Sequence, residues 1–351
     1  MKSASRIAFL TVFLLSALAL PAKAAESSGS YREALALHRA GKFKEAIRFY
    51  DKAIKADPRS AAAYVGRGAA YARLGERERA IKDYDEAIRI DPKLPDAYYN
   101  RGNAFDDLKQ HERAIKDYDQ ALRLNPSLSA AYNNRGFAYY KLGQYERAIK
   151  DYDQALRLDS KLAHAYFNRA NAHSVLKQYE KAIKDYNSAI RLNRKYGQAY
   201  RQRGNAHSNL GQHELAINDF TEAIRFDSKD AEAYYSRGLA KRRLGRHEAA
   251  VQDYTVAIQL NPKHAEAYNN RANAYSLLGQ YERAIQDYTE AIKLDPRNAM
   301  IYGNRGLVKL RQEKDAEAEK DFHKAIELDP SLRQKLEPLM NGGKGKGAAK
   351  P

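Results

Sequence analysis

The feature that most constrains this chain is a strict period. A tyrosine followed three residues later by arginine, and then by glycine or alanine, returns every 34 residues: Tyr64/Gly68, Tyr98/Gly102, Tyr132/Gly136, Tyr166/Ala170, Tyr200/Gly204, Tyr234/Gly238, Tyr268/Ala272 and Tyr302/Gly306. Counted from Ala61, eight units fill 61–332, and a degenerate unit within 25–60 precedes them. A chain of this kind is one supersecondary element repeated, so it buries apolar surface by stacking each unit on its neighbours.

Each unit reads as two helices. In 129–162 the first carries Tyr132, Gly136, Tyr139 and Leu142, with a turn at Gly143. The second carries Ala148, Ile149, Tyr152, Ala155 and Leu156 at i, i+3, i+4, i+7 spacing. Pro92, Pro126, Pro262, Pro296 and Pro330 close their units, because proline cannot continue a helix; Ser160, Arg194 and Ser228 replace it elsewhere. Gly136 and Ala148 are read as points of close helix approach, with Tyr132, Tyr139 and Tyr152 filling the space between units.

With Tyr132, Gly136, Tyr139, Leu142, Gly143, Tyr145, Ala148, Tyr152, Ala155 and the neighbouring Pro126 at these positions, the sequence resembles the tetratricopeptide repeat (TPR) family over 27–332. The resemblance implies an all-α, right-handed superhelical solenoid of about nine 34-residue helix-turn-helix repeats. It also implies that slots 2, 5, 6, 9, 12 and 13 of each repeat line a concave groove that binds peptides.

Slot 7 departs from that family's usual leucine. It holds Arg67, Arg101, Arg135, Arg169, Arg203, Arg237, Arg271 and Arg305, and slot 23 of the same units holds Asp83, Asp117, Asp151, Asp185, Asp219, Asp253, Asp287 and Asp321. Strict co-occurrence predicts a ladder of partly buried Arg–Asp pairs, one within each hairpin. Arginines neutralised in this way offer little to phosphates.

The first 24 residues read as a secretory leader of bacterial style. Basic Lys2 and Arg6 precede the apolar run Ile7–Leu20, and Ala22-Lys23-Ala24 is a small-residue cleavage site, with cleavage expected after Ala24. The run is shorter than the roughly 20 residues a bilayer-spanning helix needs, so the expected product has no transmembrane segment and lies in the periplasm or the medium. The chain has no Cys, which removes lipid anchoring at a cysteine, disulfides, thiolate nucleophiles and Cys-ligated zinc. Lys and Arg number 61 against 44 Asp and Glu, a net charge of +17, which keeps anionic surfaces among the partners. Export disfavours nucleic acid.

The nine His show no metal-ligand spacing. His173 and His207 occupy the slot of Tyr139, a packing position, and no catalytic constellation or cofactor motif is present. The expected function is therefore a non-catalytic scaffold or adaptor of the cell envelope that binds an extended peptide or helix of a protein partner in the groove. Slot 6 carries Asn100, Asn134, Asn168, Asn270 and Asn304, and slot 9 carries Asn103, Asn171, Asn205 and Asn273. Amides both donate and accept, so this row suits a peptide backbone, with Tyr99, Phe137, Tyr140, Phe167 and Tyr235 supplying apolar contact between them. The alternative is weak binding of a polyanion or envelope surface. It would use the outer-helix triads Arg79/Lys82/Arg89, Arg113/Lys116/Arg123, Arg147/Lys150/Arg157 and Lys181/Lys184/Arg191, together with the basic tail in 333–351. Only Arg333–Met340, broken by Pro338, is available to cover the last hairpin, so apolar residues such as Val308 and Leu310 within 299–340 are offered for self-association.

Overall fold

Small residues at fixed slots let two helices of each repeat lie against one another, and this spacing generates the architecture. The computed structural model describes residues 29–342. The expected leader and the glycine- and lysine-rich tail fall outside the described residues. Two compact units divide at Lys177.

In the first unit α1 (Gly29–Arg39) and α2 (Phe43–Ala56) form the leading hairpin. There follow α3 (Ala61–Leu74) with α4 (Arg77–Ile90), α5 (Pro95–Asp107) with α6 (His111–Leu124), and α7 (Ser129–Lys141) with α8 (Tyr145–Leu158); α9 (Ala163–Val175) ends the unit. The second unit opens with α10 (Tyr179–Leu192). It continues as α11 (Gly197–Asn209) with α12 (His213–Phe226), α13 (Ala231–Arg243) with α14 (His247–Leu260), α15 (Ala265–Leu277) with α16 (Tyr281–Leu294), and α17 (Ala299–Arg311) with α18 (Asp315–Leu328). A 3₁₀ turn, Pro330–Leu332, then leads into α19 (Arg333–Gly342). The described residues contain no strand, and the fold class is the all-α helix-turn-helix stack that the period predicts.

The close approach is real. A Cβ on Gly136 would stand 2.9 Å from Cε1 of Tyr152, and one on Gly238 would stand 2.7 Å from the same atom of Tyr254. Alanines such as Ala148, Ala155, Ala250 and Ala257 are fully enclosed on the facing helices. The inter-repeat turns explain why proline is dispensable. Asp159 Oδ1 accepts from the Lys161 amide at 2.9 Å, Asn193 from Lys195 at 3.1 Å and Asp227 from Lys229 at 3.0 Å. A side chain that caps its own turn stops the helix without proline. The three units that lack the closing Pro all use this device.

The carboxy-terminal end differs from the sparse cover expected of it. Helix α19 runs through Pro338 and seats Leu336 on Phe322, Ala325 and Ile326, with Leu332, Leu339 and Met340 around it. Val308 is buried in a cluster with Ala272, Tyr275, Ala284 and Tyr288 of the preceding repeat. Leu310 packs against the cluster that Leu336 joins, so of the two residues offered for self-association one is buried by the neighbouring repeat and the other lies beside the chain's own last helix, whose leucines keep the i, i+3 spacing on both sides of the proline.

Candidate binding face

Within each unit the first helices of successive repeats lie side by side, and the face they share brings most of that unit's predicted amides together. It does so differently from a free row. Asn134 Nδ2 on α7 donates to Asn103 Oδ1 at 2.8 Å and to the Tyr99 hydroxyl at 3.2 Å, both on α5. Asn103 Oδ1 also accepts from the Tyr118 hydroxyl at 2.8 Å, and Asn168 Nδ2 reaches Asn133 Oδ1 at 3.3 Å. In the second unit Asn270 Nδ2 donates to the Tyr235 hydroxyl at 3.0 Å, Asn273 accepts from Tyr288 at 2.7 Å, and Asn205 donates to Gln202 at 3.1 Å. Tyr99 is 4% exposed and Phe167 5%, so both pack between helices rather than face outward. Phe137 is half-buried under the Lys141 ammonium, 4.9 Å from its ring centroid, and Asn171 is half-buried.

Position in the hairpin explains the pattern. Slot 9 stands opposite the slot-24 tyrosine of the same hairpin, so an Asn there satisfies a buried phenol, as Asn103 does for Tyr118. Three amide atoms on this face are nonetheless buried without a partner: Asn100 Oδ1, Asn103 Nδ2 and Asn269 Oδ1. Asn269 escaped the sequence reading because it sits at slot 5, where no run of amides recurs.

The Arg–Asp ladder stands beneath this face. Arg135 Nε and a terminal nitrogen grip Asp151 at 2.8 and 2.7 Å, and Arg101, Arg237 and Arg305 grip Asp117, Asp253 and Asp321 in the same two-pronged way. The third prong was not foreseen. It reaches back to slot 25 of the preceding repeat, to Asp51, Asp85, Asp119 and Asp153 in the first unit. In the second it meets Asn187, Thr221, Thr255 and Thr289. Slot 4 tyrosines lie against the same guanidiniums, as Tyr132 does at 5.4 Å from Arg135. Burial raises the Asp83, Asp117 and Asp151 carboxyls and the facing guanidinium works against it, while the Asp83 hydrogen bond raises Arg67.

Family models described as tetratricopeptide repeat match residues 95–128, 129–162, 163–196, 265–298 and 299–332, and a TPR repeat model matches 34–75, 74–109, 209–245 and 238–279. The chain is a TPR protein. Solved structures similar to it include a tetratricopeptide repeat protein from Parabacteroides merdae, 23% identical over 72% of this chain and 99% of that one, with a TM-score of 0.52. The Cut9–Hcn1 hetero-tetramer of the APC/C is 15% identical over 90% of this chain and 75% of that one, also at 0.52. YrrB, described as a TPR protein with an unusual peptide-binding site, is 24% identical over 57% of this chain and 99% of its own, at a TM-score of 0.48. No curated protein matches the sequence significantly.

Of the charged features outside the ladder, two bear on the behaviour of this TPR protein. His264 Nδ1 stands 3.1 Å from Glu266 and Nε2 stands 3.7 Å from Glu232, with the imidazole centroid 4.5 Å from that of the Tyr235 ring, the two planes tilted by 48°. The Glu232 carboxylate foremost, and Glu266 with it, raise the His264 pKa above 6.5 against burial. A raised folded pKa gives stability that is complete below the unfolded value and is lost as pH rises through the folded one. We expect a histidine NMR titration to place His264 above 6.5, and the protection of amides at the start of α15, their exchange rate set against the base-catalysed rate of a free chain, to fall as pH rises through that midpoint. His264→Gln should remove this pH dependence of protection; an unchanged pH dependence would remove the clasp.

The second feature is the outer face. Arg113, Arg123 and Arg147 take the neutral amides of Gln110, Gln120 and Gln144 as partners, and Lys82, Lys116 and Lys150 are exposed. Among the described residues no group of three or more His, Asp or Glu could hold a metal ion, and no helix is long and apolar enough to cross a membrane.

Proposed function

We propose that this TPR protein is a non-catalytic adaptor of the cell envelope, which holds an extended peptide or helix of a partner protein on the face of its first helices. TPR proteins bind protein or peptide partners, and the leader expected at 1–24 supports the envelope. The observation that carries the reading is the set of partnerless buried amide atoms on that face, Asn100 Oδ1, Asn103 Nδ2 and Asn269 Oδ1. A buried polar group without a partner costs about 1–3 kcal/mol, and a ligand that draws these side chains outward as it binds would recover that cost.

The test is a crosslinking pull-down from an envelope extract, read by mass spectrometry, with Asn100→Ala/Asn269→Ala as control. Those replacements remove partnerless oxygens and leave the ladder intact, so the control should fold. A discrete set of proteins captured by the native chain and lost by the control is the expected result. Capture that ignores the replacements and vanishes in high salt would instead favour an anionic partner on the outer face. That second reading has its own support on α6 and α8: Asp119 and Asp153 turn toward ladder arginines, which leaves the exposed Lys and Arg of those helices less compensated than their sequence neighbours imply, whereas on α4 Arg79 and Arg89 keep Glu76 and Glu86 as partners.

A further inference from the structure

Slot 21 of the second helix is Ile or Val in every full repeat from Ile81 to Ile285 and becomes Glu319 in the last; slot 17, a ring or Arg77 elsewhere, becomes Asp315. In the earlier repeats slot 21 meets slots 10 and 11 of the next first helix. Ile81 packs against the cluster that holds Phe105, and Val251 and Ile285 against the one that holds Tyr275 and Val308. After the last repeat α19 takes that place, with Leu336 beside Ala325 and Ile326 as Tyr268 is beside Ala257 and Ile258. Its counterparts of slots 10 and 11 are Gly342 and Gly343, which bring no side chain.

A cavity of about 240 Å³ remains, walled by Leu310, Phe322, Leu339 and Met340 together with Asp315 and Glu319. We propose that it receives a long basic side chain, Lys or Arg, presented by a protein partner. This contact lies at the end of the second unit, off the face of the first helices, and goes beyond the adaptor reading of that face.

The walls select by charge and by length. Asp315 and Glu319 are four residues apart on α18, so they share one face. Asp315 is exposed and has no cationic partner among the described residues. Glu319 has only the His323 imidazole, 3.8 Å away and largely exposed. The nearby cations are engaged elsewhere: Lys309 with Asp321 at 3.0 Å and Glu317 at 3.4 Å, Lys314 with Gln312 at 3.0 Å, and Arg333 with Glu337 at 3.7 Å. Lys320 follows Glu319 directly, and adjacent helix positions do not face each other. An anionic side chain would therefore meet two like charges, and a neutral one would rest on the leucines and gain nothing from the carboxylates. A Lys or Arg lays its methylenes on Leu310 and Leu339 and keeps its charged head at the carboxylates, the division such side chains favour at apolar surfaces. A partner's side chain fits better than a free amine, because what the cavity lacks is the side chains of a helix turn.

The test uses the full chain with ¹³C-methyl methionine, which gives signals from Met1, Met300 and Met340 alone. Met340 walls the cavity, and Met300, at the far end of α17 from Leu310, is the control. The probes are butylamine and blocked alanine tripeptides whose central residue is Lys, Arg, norleucine or Glu. The Lys or Arg peptide should shift Met340 saturably, leave Met300 in place and bind about fivefold or more tighter than the norleucine peptide. The Glu peptide should give no response. Asp315→Asn with Glu319→Gln keeps the shape and should bring the basic peptides down to the norleucine level, while circular dichroism and the Met300 signal stay native. No saturable shift would show that the two carboxylates only keep the end of the array polar, and would overturn the proposal. So would norleucine binding as tightly as Lys and Arg, or butylamine binding where neither basic peptide does. A shift seen only after Lys344, Lys346 and Lys350 are all changed to Gln would give the cavity to the chain's own tail and overturn the partner.

Discussion

Replacing Asp253 with Ala should destabilise the second unit by about 3–5 kcal/mol, the cost of leaving a buried charge unpaired. Replacing the equivalent Asp117 should cost markedly less, about 1–3 kcal/mol on the scale of one lost charged hydrogen-bond partner. The two carboxylates look interchangeable by slot, and each receives two prongs of its arginine. They differ in what remains after removal. Arg101 keeps the Asp85 carboxylate at 2.6 Å. Arg237 keeps only the Thr221 hydroxyl at 3.0 Å, and Lys241, whose ammonium is 2.8 Å from Asp253, is stranded with it. Both cations are largely buried, with side chains 16% and 18% exposed. A repeat stack opens in neighbouring blocks rather than all at once, so amide exchange along α13 and α14, set against α5 and α6, is the measurement that isolates each rung. Asp253→Ala combined with Arg237→Met and Lys241→Met should recover most of the loss, because no unpaired charge then stays buried. Equal costs at the two rungs would mean that the slot-25 partner carries no weight.

How much of this was legible in the sequence follows from how strictly each feature recurs. The slot-7 arginine and the slot-23 aspartate return in every one of eight units, so their pairing could be read without coordinates. The slot-25 partner could not, because its identity runs from Asp51, Asp85, Asp119 and Asp153 through Asn187 to Thr221, Thr255 and Thr289; a hydroxyl and a carboxylate accept from the same prong, yet nothing in the letters equates them. The hydrogen-bonding state of the amides on the candidate face was not legible for a related reason. An Asn at slot 9 looks free on a helical wheel, and only the tertiary pairing of two helices sets it against the tyrosine fifteen residues on, as with Asn103 and Tyr118. Slots fix which residues share a face. Whether a polar atom on that face is already satisfied depends on the neighbouring hairpin.

The slot-24 tyrosines turn this distinction into a second large effect. Tyr152 is fully buried, with its ring 2.9 Å from where a Cβ on Gly136 would sit. Tyr152→Ala should cost about 3–5 kcal/mol, because the surrounding alanines and Gly136 are too small to collapse into the space. Tyr152→Phe should be neutral or stabilising, by up to about 1 kcal/mol. Its hydroxyl has no partner, since Phe137 holds the slot where Asn103 serves Tyr118, and burial raises the phenol pKa well above its ordinary value. Phe220 and Phe322 already occupy this slot, buried, in two other repeats. Tyr118→Phe should run the other way and lose about 1 kcal/mol, because it removes the donor that the Tyr118 hydroxyl gives to Asn103 Oδ1 and leaves that oxygen Asn134 alone. Amide exchange of α7 and α8, compared with α5 and α6, reads all three replacements in one experiment. If Tyr152→Phe destabilises as much as Tyr118→Phe, an ordered water must hold the Tyr152 hydroxyl. Opposite signs would establish that slot 9 decides whether the phenol at slot 24 stabilises the repeat or burdens it.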